Sequence, residues 1–191
     1  MNIILDMGNV LIEFAGPIYI KKHYPELEFL IDIIFRSENW QEVDRGNLNE
    51  EQLIDIFKNR FPQYRVQIED ILLNWHKEVR FINQDVFEKF KEYKFYALTN
   101  MGKNHFEYIK NKKAFDKFDG VVASFKYHSI KPEKEIFEIL IDKYKIEPKE
   151  SFFVDDNVFN VNTAKKLGFK SMVYDKEKSR LIDFIKENYA K

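Results

Sequence analysis

The sequence predicts an α/β protein: a parallel sheet with helices on both faces, and a helical segment inserted after the first strand. Two observations support this fold class. From about Asp85 onward, short apolar runs alternate with stretches of helical periodicity, a pattern typical of right-handed crossovers in a parallel sheet. Residues 15–83 instead keep helical spacing and contain no convincing strand. We therefore expect residues 1–14 and 84–191 to form the sheet domain, with residues 15–83 as a helical cap over the strand ends.

Each predicted strand is a short apolar run that a helical segment follows. The strands are expected at residues 2–5, 95–99, 120–124, 151–155 and 170–174. The later helices are expected at residues 103–111, 134–144, 158–167 and 179–189. Within the inserted segment, Asn49 and Gln52 have the spacing of a capping box, with Asn49 as the N-cap and Gln52 at the third helical position.

Composition limits the classes of function. A length of 191 residues suits one domain with a modest insertion, and 45% hydrophobic residues favour a globular chain. A net charge of −1 provides no overall field for nucleic acid or an anionic membrane. The chain has no cysteine, which excludes disulfides, thiolate metal sites and a cysteine nucleophile. Since the first residues lack a secretory signal and no apolar run approaches membrane-spanning length, we expect a cytoplasmic protein.

Polar residues follow three of the predicted strands, at the point where each strand ends. These residues are Asp6, then Thr99 and Asn100, and then Asp155 and Asp156. The carboxyl ends of parallel strands meet at one edge of a sheet, and ligands of open α/β sheets bind there. The sequence therefore predicts an active site at this edge. Taken alone, Asp6 is better explained as an ordinary strand-to-turn aspartate, and the pair Thr99-Asn100 is an equally weak signal.

The adjacent carboxylates Asp155 and Asp156 are the most specific feature. Two neighbouring carboxylates repel each other unless a cation or a lysine compensates their charge. Magnesium, a hard ion with oxygen ligands, suits such a pair, and Asn160 and Asn162 add amide oxygens on the following helix. Capping of that helix by the two aspartates is the alternative interpretation.

Lys131 precedes Pro132 and Glu133 before another predicted helix. We expect Pro132 at the first helical position, which places Lys131 at the start of the helix. A cation there opposes the helix dipole unless an anion lies nearby. Lys131 is therefore a candidate for contact with an anion, and an ordinary solvated surface lysine is an equally open alternative.

The order of these motifs along the chain resembles the haloacid dehalogenase superfamily. The motifs are Asp6-Met7-Gly8-Asn9-Val10, Thr99-Asn100, Lys131-Pro132-Glu133 and Phe152-Phe153-Val154-Asp155-Asp156-Asn157. The resemblance covers nearly the whole chain and includes a helical cap inserted after the first strand. It is strongest to the bacterial sugar-phosphate phosphatase branch that includes glucose-1-phosphate phosphatases. It implies a Rossmann-like core, a small phosphorylated metabolite as substrate, and a monomer or small homo-oligomer.

The resemblance also implies roles for individual residues. Asp6 would attack phosphorus as the nucleophile and form an aspartyl phosphate that water then hydrolyses. The implied ligands of Mg²⁺ are Asp6, the backbone carbonyl of Gly8, Asp156 and, directly or through water, Asp155. The implied phosphate-binding residues are Thr99, Asn100 and Lys131, and Lys131 is counted with Asp6 as catalytic.

The sequence departs from the superfamily at Gly8. Most phosphatases of this kind carry a second aspartate at that position as general acid and base, whereas glycine has no side chain. General acid catalysis contributes typically ~10²–10⁴-fold, so the substrate's leaving group must tolerate the loss or another residue must replace it. His76, His105 and Glu13 are candidates, although the spacing selects none of them and a surface or packing role is expected for each. Without a replacement, turnover of alkyl phosphates should be slow and should rise for better leaving groups.

Two other functions fit the same motifs. The gap at Gly8 is consistent with a regulatory protein that binds a phosphorylated ligand and hardly turns it over. A metal-independent 2-haloacid dehalogenase would also use Asp6, but it would leave the pair Asp155 and Asp156 without a role. A phosphomutase ranks lower still, because Gly8 cannot pass protons to and from the substrate. The sequence therefore favours a magnesium-dependent phosphatase.

Overall fold

The computed structural model describes residues 1–188 and contains a five-stranded parallel sheet. The strands are β1 (Asn2–Leu5), β2 (Lys94–Thr99), β3 (Gly120–Ala123), β4 (Ser151–Asp155) and β5 (Lys170–Val173). Their order across the sheet is β3-β2-β1-β4-β5. Residues 189–191, which end the expected sheet domain and include Tyr189 of the last predicted helix, lie outside the described residues. The predicted α/β fold class is confirmed.

Ten α-helices lie within residues 1–188, and several short 3-10 turns connect them. Those between β1 and β2 are α1 (Gly16–His23), α2 (Leu30–Phe35), α3 (Glu38–Arg45), α4 (Glu50–Arg60), α5 (Arg65–Asn74) and α6 (Val86–Lys89). Those after β2 are α7 (Lys103–Asn111), α8 (Lys134–Tyr144), α9 (Val158–Lys166) and α10 (Leu181–Asn188). No helix within residues 1–188 is long and apolar enough to span a bilayer.

Alternate residues of the strands point to opposite faces of the sheet, and each face is covered by helices. Ile3 and Leu5 of β1 belong to a hydrophobic cluster that includes residues of α6, α7 and α10. Ile4 of β1 belongs to a second cluster that includes residues of α8 and α9. All three β1 residues are fully buried. The central strand therefore contributes to both cores, as expected for a parallel sheet between two helical layers.

The register of the strands brings their carboxyl ends to one edge. Leu5 of β1 pairs with Ala97 of β2 on one side and with Val154 of β4 on the other. The backbone N–H of Asp6 continues the β4 ladder, since it donates to the carbonyl of Val154 at 2.9 Å. The residues that follow these three strands therefore meet at one edge, as the sequence predicts.

The helices and turns from Gly16 to Glu78, here called the helical insertion, have a hydrophobic cluster of their own. Leu30, Phe57 and Trp75 lie at its centre and are almost fully buried. The predicted capping box at the start of α4 is confirmed, because Gln52 N–H donates to the Asn49 side chain and Asn49 N–H donates to the Gln52 side chain, both at 2.9 Å. The division into domains at residues 15 and 83 stays a prediction.

Helix α8 spans residues 134–144 as predicted, but Pro132 is not its first residue. Its first residue is Lys134 and its N-cap is Glu133, so the placement of Pro132 at the first helical position is wrong. The segment before the helix forms a turn, in which Glu133 N–H donates to the carbonyl of Ile130 and the Glu133 carboxylate accepts from Ile130 N–H. Lys131 lies before this helix start and its side chain is buried. The helix-dipole argument for Lys131 therefore does not apply.

Packing between the sheet and α8 should contribute strongly to stability. Phe153 of β4 is fully buried, and its ring centroid lies 5.4 Å from that of Phe137 on α8. We expect Phe153→Ala to lower the free energy of unfolding by about 3–5 kcal/mol, since it removes buried apolar area and leaves a cavity. Urea denaturation measures the change. Phe159→Ala, at a side chain that is 68% exposed, is the matched control, and equal losses for the two variants would contradict the assigned core.

Candidate active site

A cavity of about 200 Å³ lies at the carboxyl edge of the sheet. Most of the predicted site residues line it, namely Asp6, Gly8, Thr99, Asn100, Lys131 and Asp156. The remaining predicted residue, Asp155, is fully buried. The structure therefore brings all seven candidate residues to one place.

Lys131 links two of the carboxylates. Its Nζ lies 2.8 Å from Asp6 Oδ1 and 2.6 Å from Asp155 Oδ2, and the residue is 3% exposed. Burial by itself lowers the pKa of Lys131, but the charges of Asp155 and Asp6 outweigh this effect and leave the pKa above its usual value. Lys131 is therefore a buried ammonium, and the alternative of a solvated surface lysine is wrong. Its backbone is held by Asn100, whose side chain accepts from Lys131 N–H and donates to the Lys131 carbonyl.

Asp6 is placed directly after β1, almost fully buried beside the cavity. Its Oδ1 accepts a hydrogen bond from Met7 N–H at 2.7 Å in addition to the contact with Lys131. Burial raises the pKa of Asp6 to about 7; Lys131 opposes this rise, whereas the charges of Asp155 and Asp156 add to it. A bound cation would oppose the repulsion among the three carboxylates.

Oxygen atoms of Asp6, Asp155 and Asp156 lie within 4.8 Å of one another. Asp156 is exposed and accepts from the Asn9 side chain at 2.9 Å. The pKa of Asp156 is raised, chiefly because surrounding protein atoms partly displace water from its carboxylate; the hydrogen bond from Asn9 opposes the rise and the charge of Asp155 adds to it. Three carboxylates in this arrangement fit a hard divalent cation with oxygen ligands, so the donor set suits magnesium.

Asp155 is tied to the protein by several hydrogen bonds. Its oxygens accept from Lys131 Nζ, from Asn157 N–H at 2.9 Å, and from Asn160 Nδ2 at 2.9 and 3.1 Å. Asn157, whose side chain accepts from Phe159 N–H, is the N-cap of α9. The interpretation of the aspartate pair as the side-chain cap of this helix is therefore wrong.

The two asparagines that the sequence places near the pair have different positions. Asn160 lines the cavity, and its buried Oδ1 has no hydrogen-bond partner among the described residues. Asn162 is exposed on α9 and does not line the cavity. The expectation that both amides serve the site is therefore wrong for Asn162, because it faces away from the buried Asn160 on the same helix.

The candidates for replacing a side chain at position 8 are mostly elsewhere. Glu13 pairs with Lys176 at 3.3 Å, and His76 packs against Tyr108 with ring centroids 4.4 Å apart. Neither lines the cavity. His105 does line it, but burial lowers its pKa to about 3, so the ring is neutral at physiological pH. The packing role expected for the histidines therefore fits their surroundings.

The structure adds cavity residues that the sequence did not suggest. Asp44, near the end of α3, belongs to the helical insertion and lines the cavity together with Phe14 and Ile12. The turn that follows α3 is visible in the sequence, but the direction in which that helix end points is not. Nothing in the spacing of the motifs indicates that Asp44 returns to the sheet edge.

Comparison with known proteins identifies the family. Residues 38–174 match the model of the haloacid dehalogenase-like hydrolases, which is well over half of the chain. The chain belongs to the haloacid dehalogenase-like hydrolase family. The superfamily that the motifs predict is thus confirmed for this hydrolase, whereas its sugar-phosphate branch stays a prediction.

Several relatives cover most of this hydrolase. A D-ribitol-5-phosphate phosphatase from Bacteroides thetaiotaomicron is 25% identical over an alignment 186 positions long, which covers 89% of this chain and 89% of that protein. Drimenol cyclase from Aspergillus calidoustus is 25% identical over 188 residues, but the aligned chain spans only 34% of that longer protein. A family enzyme from Bacteroides thetaiotaomicron, solved with magnesium and inorganic phosphate, has a TM-score of 0.72 at 21% identity and covers 96% of this chain and 98% of its own. This last likeness concerns the fold alone.

Removal of the buried ammonium should destabilise the hydrolase. Lys131→Met leaves Asp6 and Asp155 without their shared cation, and breaking a buried ion pair in this way costs about 3–5 kcal/mol. Without Lys131 the pKa of Asp6 rises further, so we expect the loss to be larger at pH 8 than at pH 5. Denaturant unfolding at both pH values, without added metal, measures this.

Lys134→Met is the matched control for this prediction. Lys134 lies three residues away, and its side chain pairs with Glu138 at the surface with 61% exposure. Its replacement should leave stability nearly unchanged. Similar losses for Lys131→Met and Lys134→Met would refute the assigned role of the buried ammonium.

Proposed function

We propose that this hydrolase is a magnesium-dependent phosphatase that cleaves a small phosphomonoester through an aspartyl phosphate. The observation that carries the proposal is the placement of Asp6, Asp155 and Asp156 within 4.8 Å of one another, beside the buried ammonium of Lys131. The similarity to a D-ribitol-5-phosphate phosphatase supports the same class of reaction. A 2-haloacid dehalogenase would have no use for the cluster of three carboxylates.

Asp6 is the nucleophile in this proposal. One of its oxygens, Oδ1, is held by Met7 N–H and Lys131, which fixes the orientation of the carboxylate. Lys131 also stabilises the charged form of Asp6, and the nucleophile must be ionised to attack phosphorus. The contacts of Asp6 therefore fix the orientation of its carboxylate, and Lys131 stabilises its negative charge.

Asp6, Asp156 and the Gly8 carbonyl would hold magnesium, with Asp155 as a further carboxylate close to them. When bound, the ion draws charge from the phosphoryl group and reduces its repulsion from the nucleophile. The hydrogen bonds to Asp155 from Lys131, Asn157 and Asn160 favour contact with the ion through water. Asp155 then serves mainly to position Lys131.

Thr99, Asn100 and Lys131 would hold the phosphate oxygens. Thr99 ends β2 and Asn100 follows it, so both face the cavity from the strand next to Asp6. The Asn100 side chain fixes the backbone of Lys131, and in this proposal the Asn100 backbone N–H would contact the substrate. Preorganised donors of this kind stabilise charge that develops in the transition state.

The substrate we propose is a small phosphorylated metabolite of the sugar-phosphate class. A cavity of about 200 Å³ suits a small molecule, and polar and aromatic side chains both line it. The helical insertion supplies Trp40 and Asp44 to this cavity and would act as the cap that encloses the substrate. The cytoplasmic location and the monomer or small homo-oligomer stay predictions from the sequence.

Replacement of the nucleophile tests the reaction. We expect Asp6→Asn to reduce magnesium-dependent phosphate release from sugar phosphates to background, because an amide cannot form the acyl phosphate. Phosphate release is measured across a panel of sugar phosphates, and acid-quenched samples are examined for phosphorylated protein. Asp116→Asn, at an exposed position after α7, should keep wild-type activity.

Other outcomes of this experiment identify the competing functions. Magnesium-dependent binding of sugar phosphates without release or phosphorylated protein indicates a regulatory phosphate-binding protein. Release of halide from a 2-haloacid that chelators do not inhibit indicates a dehalogenase. Wild-type turnover by Asp6→Asn contradicts the nucleophile assignment itself.

Metal binding is testable without turnover. A ligand at about 100 times its Kd stabilises the folded state by about 2.7 kcal/mol, so magnesium should raise the Tm of the wild-type protein. We expect Asp156→Asn to lose this shift, since it removes a metal ligand. Thermal unfolding with and without magnesium measures it. Asp175→Asn, in the loop after β5, is the control, and an undiminished shift in Asp156→Asn would exclude Asp156 as a ligand.

A further inference from the structure

The helical insertion places one carboxylate at the cavity. Asp44 is the second-to-last residue of α3, and it lines the cavity opposite the residues of the sheet edge, among them Asp6 and Lys131. Gly8, where the superfamily usually has a second carboxylate, also lines this cavity and has no side chain. Asp44 is thus a carboxylate at the cavity with no role among the nucleophile, the magnesium ligands and the phosphate-binding residues.

The end of α3 is fastened to the sheet domain, which fixes the position of Asp44. The Ser124 hydroxyl donates to the backbone carbonyl of Asp44, and Arg45 forms a bidentate ion pair with Glu133 at 2.7 and 2.6 Å. Gly46 follows with φ +82°, and a Cβ there would lie 2.5 Å from the carbonyl oxygen of Phe125. Three contacts on consecutive residues therefore hold this helix end against the segments that follow β3 and precede α8.

The Asp44 carboxyl lies near the backbone of Gly102 and the side chain of Trp40, both of which favour its charged form. Burial raises the pKa of Asp44 to about 7, the backbone of Gly102 opposes this, and the charge of Asp6 adds to it. Lys131 lowers the pKa slightly from the other side. A general acid works best when its pKa lies near the operating pH.

The other titratable groups around Asp44 do not offer the same chemistry. Asp6 and Lys131 face it from the sheet edge, and Glu50 and His105 share a small adjoining cavity with it. Glu50 donates nothing when ionised and accepts from the Asn104 side chain. His105 is neutral and packs edge-on against Trp75. Asp44 is the carboxyl among these that faces the cavity and is not paired with Lys131.

We propose that Asp44 is the general acid and base of this site and performs the role for which Gly8 has no side chain. This inference rests on the proposed phosphatase function. In the first step an Asp6 oxygen bonds to phosphorus, the bond from phosphorus to the ester oxygen breaks, and that oxygen takes the proton of Asp44. In the second step Asp44 accepts a proton from water, whose oxygen bonds to phosphorus as the bond to Asp6 breaks. Both carboxyl groups then return to their starting states.

Two substrates with different leaving groups test the proton transfer. The leaving group of ribitol 5-phosphate is an alkoxide that needs a proton, whereas the leaving group of 4-nitrophenyl phosphate is a stable phenolate. We expect Asp44→Asn to lower kcat for ribitol 5-phosphate by ~10²–10⁴-fold. With 4-nitrophenyl phosphate it should still release about one nitrophenolate per enzyme in a fast burst, followed by slow turnover, because only the hydrolysis step then needs the base.

Asp70→Asn is the matched control within the helical insertion. Asp70 is partly buried and accepts hydrogen bonds from Tyr19, Tyr24 and Asn74, each at 2.8 Å, but it does not line the cavity. Its replacement should leave the ratio of the two activities as in the wild type. Loss of both the alkyl activity and the burst in Asp44→Asn would show a structural role and overturn the proposal, as would unchanged alkyl activity. A wild-type protein inactive on all phosphomonoesters would instead overturn the phosphatase function and this inference together.

A measurement without substrate or metal gives a second readout. The pKa of Asp44 is raised from 3.8 to about 7 in the folded state, so its contribution to stability is complete below about pH 3.8 and is lost as the pH rises through about 7. The free energy of unfolding should therefore fall less between pH 5 and pH 8 in Asp44→Asn than in the wild type. Asp6 is present in both proteins, so the difference reports on Asp44. Identical pH dependence would overturn the proposal.

Discussion

A single buried ammonium lies between two carboxylates at the sheet edge, and the arrangement of the site depends on it. Lys131 contacts Asp6 after β1 and Asp155 at the end of β4, so it joins the two strands that carry the acidic residues. Removing three charged groups from water is costly unless they compensate one another. The Asn100 side chain holds the Lys131 backbone, and Asn160 holds Asp155, so the compensation is supported by hydrogen bonds on both sides.

The same charges explain why the site suits a cation and a phosphate together. Asp6, Asp155 and Asp156 carry three negative charges against one positive charge on Lys131, and burial makes their mutual repulsion stronger. A divalent cation would neutralise the two excess negative charges, and the ion itself would be a positive contact for an anionic substrate. Lys131 alone binds the carboxylates but leaves their excess charge in place. The charges of the site thus suit the binding of a cation and an anion, which is what the proposed function requires.

The end of α3 attaches the helical insertion to the sheet domain and also carries Asp44. The contacts of Arg45 with Glu133 and of Ser124 with the Asp44 carbonyl attach α3 to the sheet domain. Because this helix end carries Asp44, the contacts that attach the insertion also fix the position of Asp44 at the cavity. The shape of the cavity and the proposed proton transfer therefore both depend on the contacts of Arg45 with Glu133 and of Ser124 with the Asp44 carbonyl.

The sequence alone determined the sheet and the edge at which the acidic residues meet. The short apolar runs end at Asp6, Thr99 and Asp155. Because parallel strands in register bring their carboxyl ends together, these residues must meet at one edge of the sheet. Only the tertiary structure decided that Lys131 is buried and that Asp44 reaches the cavity. Both depend on where a distant element packs, and no local period or spacing encodes the direction in which the end of a helix faces.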